Sequence, residues 1–192
     1  MGLDMYLHRK TYVKNWSHMK PDELHQVTVK RNNKKHPWID PKKVSSIIEE
    51  VGYWRKANCI HDWFVKNVQD GEDNCHTFDV EVSQLQELYD ACILVRDNTK
   101  LVDGEVKNGY TVELADDKYV EKPIMKPGKT VADKSVAEDL LPTTAGFFFG
   151  STDYDEYYLQ DILDTIAMLE PLLKLEVPKG FYSPDYTYRA SW

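Results

Sequence analysis

The sequence predicts an α+β fold: a single compact domain, residues 1–192, with three or four core helices packed on a small mixed or antiparallel sheet. Three observations carry this expectation. Residues 3–8 alternate Leu3, Met5 and Leu7 with Asp4, Tyr6 and His8, the period of a half-buried strand. Leu85, Leu88, Tyr89, Cys92 and Ile93, and later Leu159, Ile162, Ile166, Leu169 and Leu173, recur at helical spacing. The composition, 42% hydrophobic and 29% charged over 192 residues, is that of a globular chain with room for one buried core.

Taken in order, the opening strand is followed by a second expected strand at 24–30, through Val27 and Val29, which would pair with it at a distance. Asp40-Pro41 reads as a helix start, an N-cap before the imino acid suited to the first helical position. Val44, Ile47, Ile48 and Val51 then follow at helical spacing. Tyr53 to Val68 continues in the same manner, so the region reads as two helices meeting near Gly52. A short extended piece through Phe78 and Val80 precedes a core helix capped by Ser83 with Gln86.

Residues 97–108 read as a polar turn region, and Tyr110, Val112 and Leu114 as a strand. Residues 122–133, with Pro123, Pro127 and Gly128, read as a loop. Ala145 to Gly150 reads as an apolar strand or tight loop, and Thr152 with Asp155 as the cap of the last helix. Tyr186 to Trp192 would supply an edge strand.

Charge is unevenly spread. Through Lys43 the chain holds 10 basic and 4 acidic residues, a net of +6; the remainder holds 14 basic and 28 acidic residues, a net of −14. The acidic body disfavours direct nucleic-acid binding for the molecule as a whole and leaves a local basic face around Lys30 to Lys43. No segment approaches the roughly 20 apolar residues of a bilayer span, so no membrane partner and a cytoplasmic location are expected. Gly2 is not read as a myristoylation site, because Tyr6 stands where Ser or Thr is required. Cys59, Cys75 and Cys92 cannot all pair within one chain and are expected to be reduced.

Three clusters could carry chemistry. In the first, Trp54, Arg55, Asn58 and His61 place an aromatic ring, a cation, an amide and an imidazole close together, on neighbouring helical turns if the segment is helical. The second, Asp70 to His76, has calcium-loop spacing as far as Glu81 but carries Cys75 where glycine is required. Cys59, His61, Cys75 and His76 are zinc-ligand types without zinc-ligand spacing, and no cofactor or metal is assigned. In the third cluster, Asp153, Tyr154, Asp155 and Tyr157 gather carboxylates and phenols at a helix start, where the helix dipole already accounts for the acids.

The segments Gly2-Leu3-Asp4-Met5-Tyr6-Leu7, Tyr53 to Asn58 with His61 and Trp63, Asp73-Asn74-Cys75, and Gly146 to Tyr157 resemble an uncharacterised family of bacteriophage and prophage proteins. The resemblance implies a phage or mobile-element setting and no particular reaction. The residues themselves favour a non-catalytic binding or interaction protein, with Trp54, Arg55, Asn58 and His61 as one recognition surface and Asp153, Tyr154, Asp155 and Tyr157 as another, or as the rest of the same pocket. Its partner would be a host or phage protein, or an unidentified small molecule. Two rivals are a small hydrolase or transferase using His61 with Asp73 or Asp153, and an acidic decoy of a nucleic-acid-binding protein.

Overall fold

A computed structural model of the chain describes residues 2–115, 118–178 and 181–192. Its centre is a four-stranded antiparallel sheet in the order β4-β1-β8-β5, formed by β1 (Asp4–Tyr12), β4 (Ser46–Arg55), β5 (Thr77–Val80) and β8 (Asp185–Ser191). The alternation read at the N-terminus decides the sheet's two faces. Leu3, Met5 and Leu7 are fully buried and share the inner face with Trp54, Val80, Tyr186, Tyr188 and Ala190. On the outer face Tyr6 stacks on His8 and tilts against Tyr53, whose hydroxyl donates to Asp4.

Helices α1 (Asn58–Asn67), α2 (Val82–Asn98), α3 (Ser135–Leu140) and α4 (Glu156–Leu173) supply the second layer. The α+β class is therefore as the sequence predicts. The stripe of α2 buries Leu85, Leu88, Cys92 and Val95 against α4, which buries Ile162, Ile166, Leu169 and Leu172. Phe64 of α1 stacks on Tyr188 of β8 with ring centroids 3.8 Å apart. Such a pair contributes about 0.5–1.5 kcal/mol beyond the area it buries.

Several expectations need correction. Asp40 does cap a turn, accepting from the Lys42 amide at 3.1 Å, but the turn ends at Lys43 and the chain becomes strand β4 rather than a helix. The apolar residues behind the helix reading, Ile47 and Ile48, are exposed; burial instead falls on Gly52 and Trp54, two residues apart. Gly52 packs closely there: a Cβ would lie 3.1 Å from the Trp54 ring and 3.2 Å from Leu7 Cβ, so either neighbour would have to shift by a few tenths of an ångström. Residues 24–29 form no strand. The neighbouring ribbon is the two-residue pair β2 (Lys30–Arg31) and β3 (Lys34–Lys35), which does not join β1.

The cap of α2 is Glu81, with Gln84 returning the bond to its amide at 2.9 Å, rather than Ser83 with Gln86. The polar turn region expected at 97–108 is instead the end of α2 and the base of β6 (Leu101–Ala115), and the loop expected at 122–133 falls mostly within β7 (Lys118–Val131). The two strands form a long hairpin, and the strand expected at Tyr110, Val112 and Leu114 lies on β6. The C-terminal strand β8 is interior, between β1 and β5, rather than an edge. Among the described residues no helix is long and apolar enough to cross a membrane.

Candidate functional site

The two sequence clusters converge where β4 hands over to α1. Arg55 ends β4, Lys56 turns the chain with φ of 61°, and Asn58 begins α1. Asn58 is buried and spends its whole side chain on the 144–151 loop. Its Nδ2 donates to the carbonyls of Phe149 and Ser151 at 3.2 and 2.8 Å, and its Oδ1 accepts from the Thr144 amide at 3.0 Å. This staple brings Gly150 against Lys56. Gly150 has φ of 95°, and a Cβ on it would lie 3.1 Å from Lys56 Cβ. With Phe148 at φ 67°, three residues of this junction occupy the left-handed region, two of them without glycine's freedom.

The juxtaposition encloses a cavity of about 350 Å³. Arg55, Asn58, Asp153, Asp155 and Tyr157 all line it, so five of the eight sequence-predicted recognition residues share one site drawn from both clusters. The other three have different work. Trp54 lies on a strand, which removes the expected helical face shared with Asn58 and His61; its Nε1 donates to Thr165 Oγ1 at 2.8 Å in the core. Tyr154 is buried, with its hydroxyl accepting from the Thr143 amide at 3.1 Å and its ring edge-on to Tyr158.

His61 is buried on α1 and is not among the cavity's lining residues. Its Nε2 lies 3.1 Å from Asp73 Oδ1 and its Nδ1 2.8 Å from the Tyr188 hydroxyl. An ionised carboxylate only accepts, so Nε2 carries the proton and Nδ1 accepts from Tyr188. Burial lowers the imidazole's proton affinity, partly opposed by Asp73. Of the two partners considered for His61 the structure pairs it with Asp73, while Asp153 instead binds Lys107 at 2.8 Å.

The acids of the cavity differ sharply. Asp155, rather than Thr152, is the cap of α4, with Oδ1 accepting from the amides of Tyr157 and Tyr158 at 2.9 and 3.1 Å. Asp153 is neutralised by Lys107. Asp161, absent from the sequence reading, sits one helical turn beyond Tyr157 on the same wall. Burial, with the like charges of Asp164 and Asp155, pushes its carboxyl up to about 7. Once the start of α4 is placed at Glu156, the i, i+4 step from Tyr157 to Asp161 is the signal that would have found it. Lys56 on the lip and Cys59 on the wall were likewise missed as cavity residues. Burial raises the Cys59 thiol well above its ordinary value, so it is no ready nucleophile.

Cys59 and Cys92 are buried free thiols and Cys75 is an exposed one. Among the described residues no group of three or more His, Cys, Asp or Glu side chains is arranged to hold a metal ion. Several carboxylates of the acidic body are paired with bases, including Glu49 with Arg9, Asp62 with Lys66, Glu113 with Lys122 and Glu170 with Lys174. Comparison with models of protein families, with curated proteins and with solved structures finds no match to the chain.

Proposed function

We propose that the chain is a non-catalytic binding protein and that its recognition site is the cavity between the β4–α1 junction and the N-terminal turns of α4. The observation that carries this reading is the meeting, around one cavity of about 350 Å³, of a basic lip, Arg55 and Lys56, with an acidic wall containing Asp161. Among the described residues Asp161 has no ion-pair partner, and its poised carboxyl is the group a cationic ligand would satisfy. Arg55 lines the same cavity, and its largely exposed guanidinium, 3.9 Å from Asp4, is open to an anionic group.

A small zwitterion of the amino-acid class offers a cation to Asp161 and an anion to Arg55. A basic side chain on a host or phage partner protein would use the acidic wall alone. The bacteriophage or prophage setting rests on the likeness of the segments around Gly2 to Leu7 and Gly146 to Tyr157.

Support for the hydrolase or transferase reading is weaker. Both ring nitrogens of His61 are already hydrogen-bonded, and the Tyr188 hydroxyl at the end of that chain belongs to a fully buried residue. The experiment is a titration of the 15N-labelled protein with L-arginine, L-lysine and their amides. Saturable shifts confined to Arg55–Cys59, Ser151–Asp155 and Asp161 support the reading. Retention of that binding in Arg55→Ala/Asp161→Asn overturns it.

A further inference from the structure

The β6–β7 hairpin leaves the body at Lys107. From 107 to 114 and from 118 to 125 every residue is exposed, so neither face of the ribbon touches the core. Its register puts Tyr110 beside Pro123, Val112 beside Glu121 and Leu114 beside Tyr119 on one face. Those four large apolar side chains are open to solvent, Tyr119 at 81% and Leu114 at 65%. An isolated two-stranded ribbon is marginal in water, and an apolar face on one marks an interaction surface.

The backbone says which edge is available. Val131 donates outward from β7 to the Tyr154 carbonyl at 3.0 Å, so alternate residues 129, 127, 125 and 123 also turn their nitrogens away from β6. Two of these are Pro127 and Pro123, which have no N–H. The outer edge of β7 is therefore blunted against another strand. On β6 the same alternation, carried past the register shift between Lys107 and Tyr110, turns the N–H and C=O of Tyr110, Val112 and Leu114 outward, and none of them is proline.

We propose that two copies of this chain associate by antiparallel pairing of these β6 edges, giving a four-stranded sheet in the order β7-β6-β6-β7. A strand edge of this kind is complementary to itself. Centred on Val112, the pairing sets Val112 opposite Val112 of the second copy, Tyr110 opposite Leu114, and Thr111 opposite Glu113. Apolar residues meet apolar residues, and no like charges face each other. Val112 lies five residues beyond Lys107, about 17 Å of strand, so antiparallel pairing sends the two bodies to opposite ends of the sheet. The apolar faces of the two ribbons become one surface. The edge itself is narrow, which places the expected affinity in the micromolar range.

The test is sedimentation equilibrium of the full chain from about 1 to about 200 µM, a span that brackets micromolar association. Val112→Pro removes an outward N–H that the hairpin does not use; Glu121→Pro removes one from the blunted β7 edge and is the matched control. The expected result is a reversible dimer for the wild type and for Glu121→Pro, and at least tenfold weaker association for Val112→Pro. A wild-type monomer at the highest concentration, or equal loss in both variants, overturns the proposal. A second pair of variants does not depend on proline being tolerated. In a Cys75→Ser background, Val112→Cys should oxidise to a disulfide-linked dimer because the two residues face each other across the dyad, whereas Glu121→Cys should not. Failure of Val112→Cys to crosslink faster than Glu121→Cys overturns the β6 pairing.

Discussion

His61 Nδ1 and the hydroxyl of Tyr188 lie 2.8 Å apart in the core, joining α1 to the interior strand β8, and Asp73 holds the other ring nitrogen from the 70–76 loop. The chain Asp73, His61, Tyr188 runs from the surface to the middle of the sheet. Tyr188→Phe keeps the ring stacked on Phe64 but leaves Nδ1 buried without a donor. The expected loss is about 1–3 kcal/mol in urea-induced unfolding. A change within a few tenths of a kcal/mol would remove this network from the account of stability.

The same histidine sets an acid limb. Its folded proton affinity lies below the ordinary 6.5, chiefly through burial. The unfolded state therefore binds more protons in that range. The contribution of His61 is complete above about 6.5 and is lost as pH falls through that value toward the folded one. Stability measured between pH 5 and pH 8 should fall on the acid side, and His61→Gln should flatten that limb.

Asp161 works in the opposite sense. Its carboxyl is raised from 3.8 to about 7, so the folded state holds the extra proton and the stabilising difference present below about 4 is lost as pH rises to 7. Asp161→Asn should be more stable than wild type at pH 8, by roughly 1–2 kcal/mol after allowance for solvent access, with the gain vanishing near pH 4. Thermal melts at the two pH values measure it. An equal effect at both would show that the carboxylate's charge is not the cause.

Two backbone devices hold the cavity open. Asp155→Ala removes the cap of α4 and should cost about 1 kcal/mol, read as a lower melting temperature. Gly150→Ala meets both a φ of 95° and the Lys56 Cβ at 3.1 Å, and should cost about 1–2 kcal/mol while shifting amide resonances at Lys56 and Asn58. Unchanged resonances at Lys56 would contradict the contact between the two loops.

Where side chains have one wet and one dry face, the sequence was legible. Leu3, Met5 and Leu7 report β1, and Leu85 to Val95 and Ile162 to Leu172 report α2 and α4, because burial selects a period of 2 or 3.6 in each. It misled where exposed apolar residues imitated a period: Ile47 and Ile48 sit on a solvated stretch of β4, and their helical spacing is not a buried stripe. The β6–β7 ribbon was legible only in part. Tyr110, Val112 and Leu114 alternate and do lie on β6, but the base of β6 read as a polar turn, and Pro123 and Pro127 read as breakers of β7 although their missing N–H groups point away from the ladder.

The site was legible as two acidic and basic clusters. What joined them was not. The contact depends on Asn58 capturing three backbone groups of the 144–151 loop, a tertiary match with no periodic signature. Trp54 and His61 read as recognition residues because helical spacing would set their rings on neighbouring turns; Trp54 instead lies on β4, and Thr165, Tyr188 and Asp73 satisfy the polar atoms of the two rings from other parts of the chain.

The most direct test of the binding account is the affinity of L-arginine for wild type and Asp161→Asn across pH 6 to pH 8, read from amide shifts at Arg55, Ser151 and residue 161. If the acidic wall holds the ligand's cation, wild-type affinity rises several-fold as Asp161 ionises through about 7, and the variant shows neither the rise nor the affinity. Binding that is equal in both proteins and flat with pH, or no saturable shift at any pH, would contradict it.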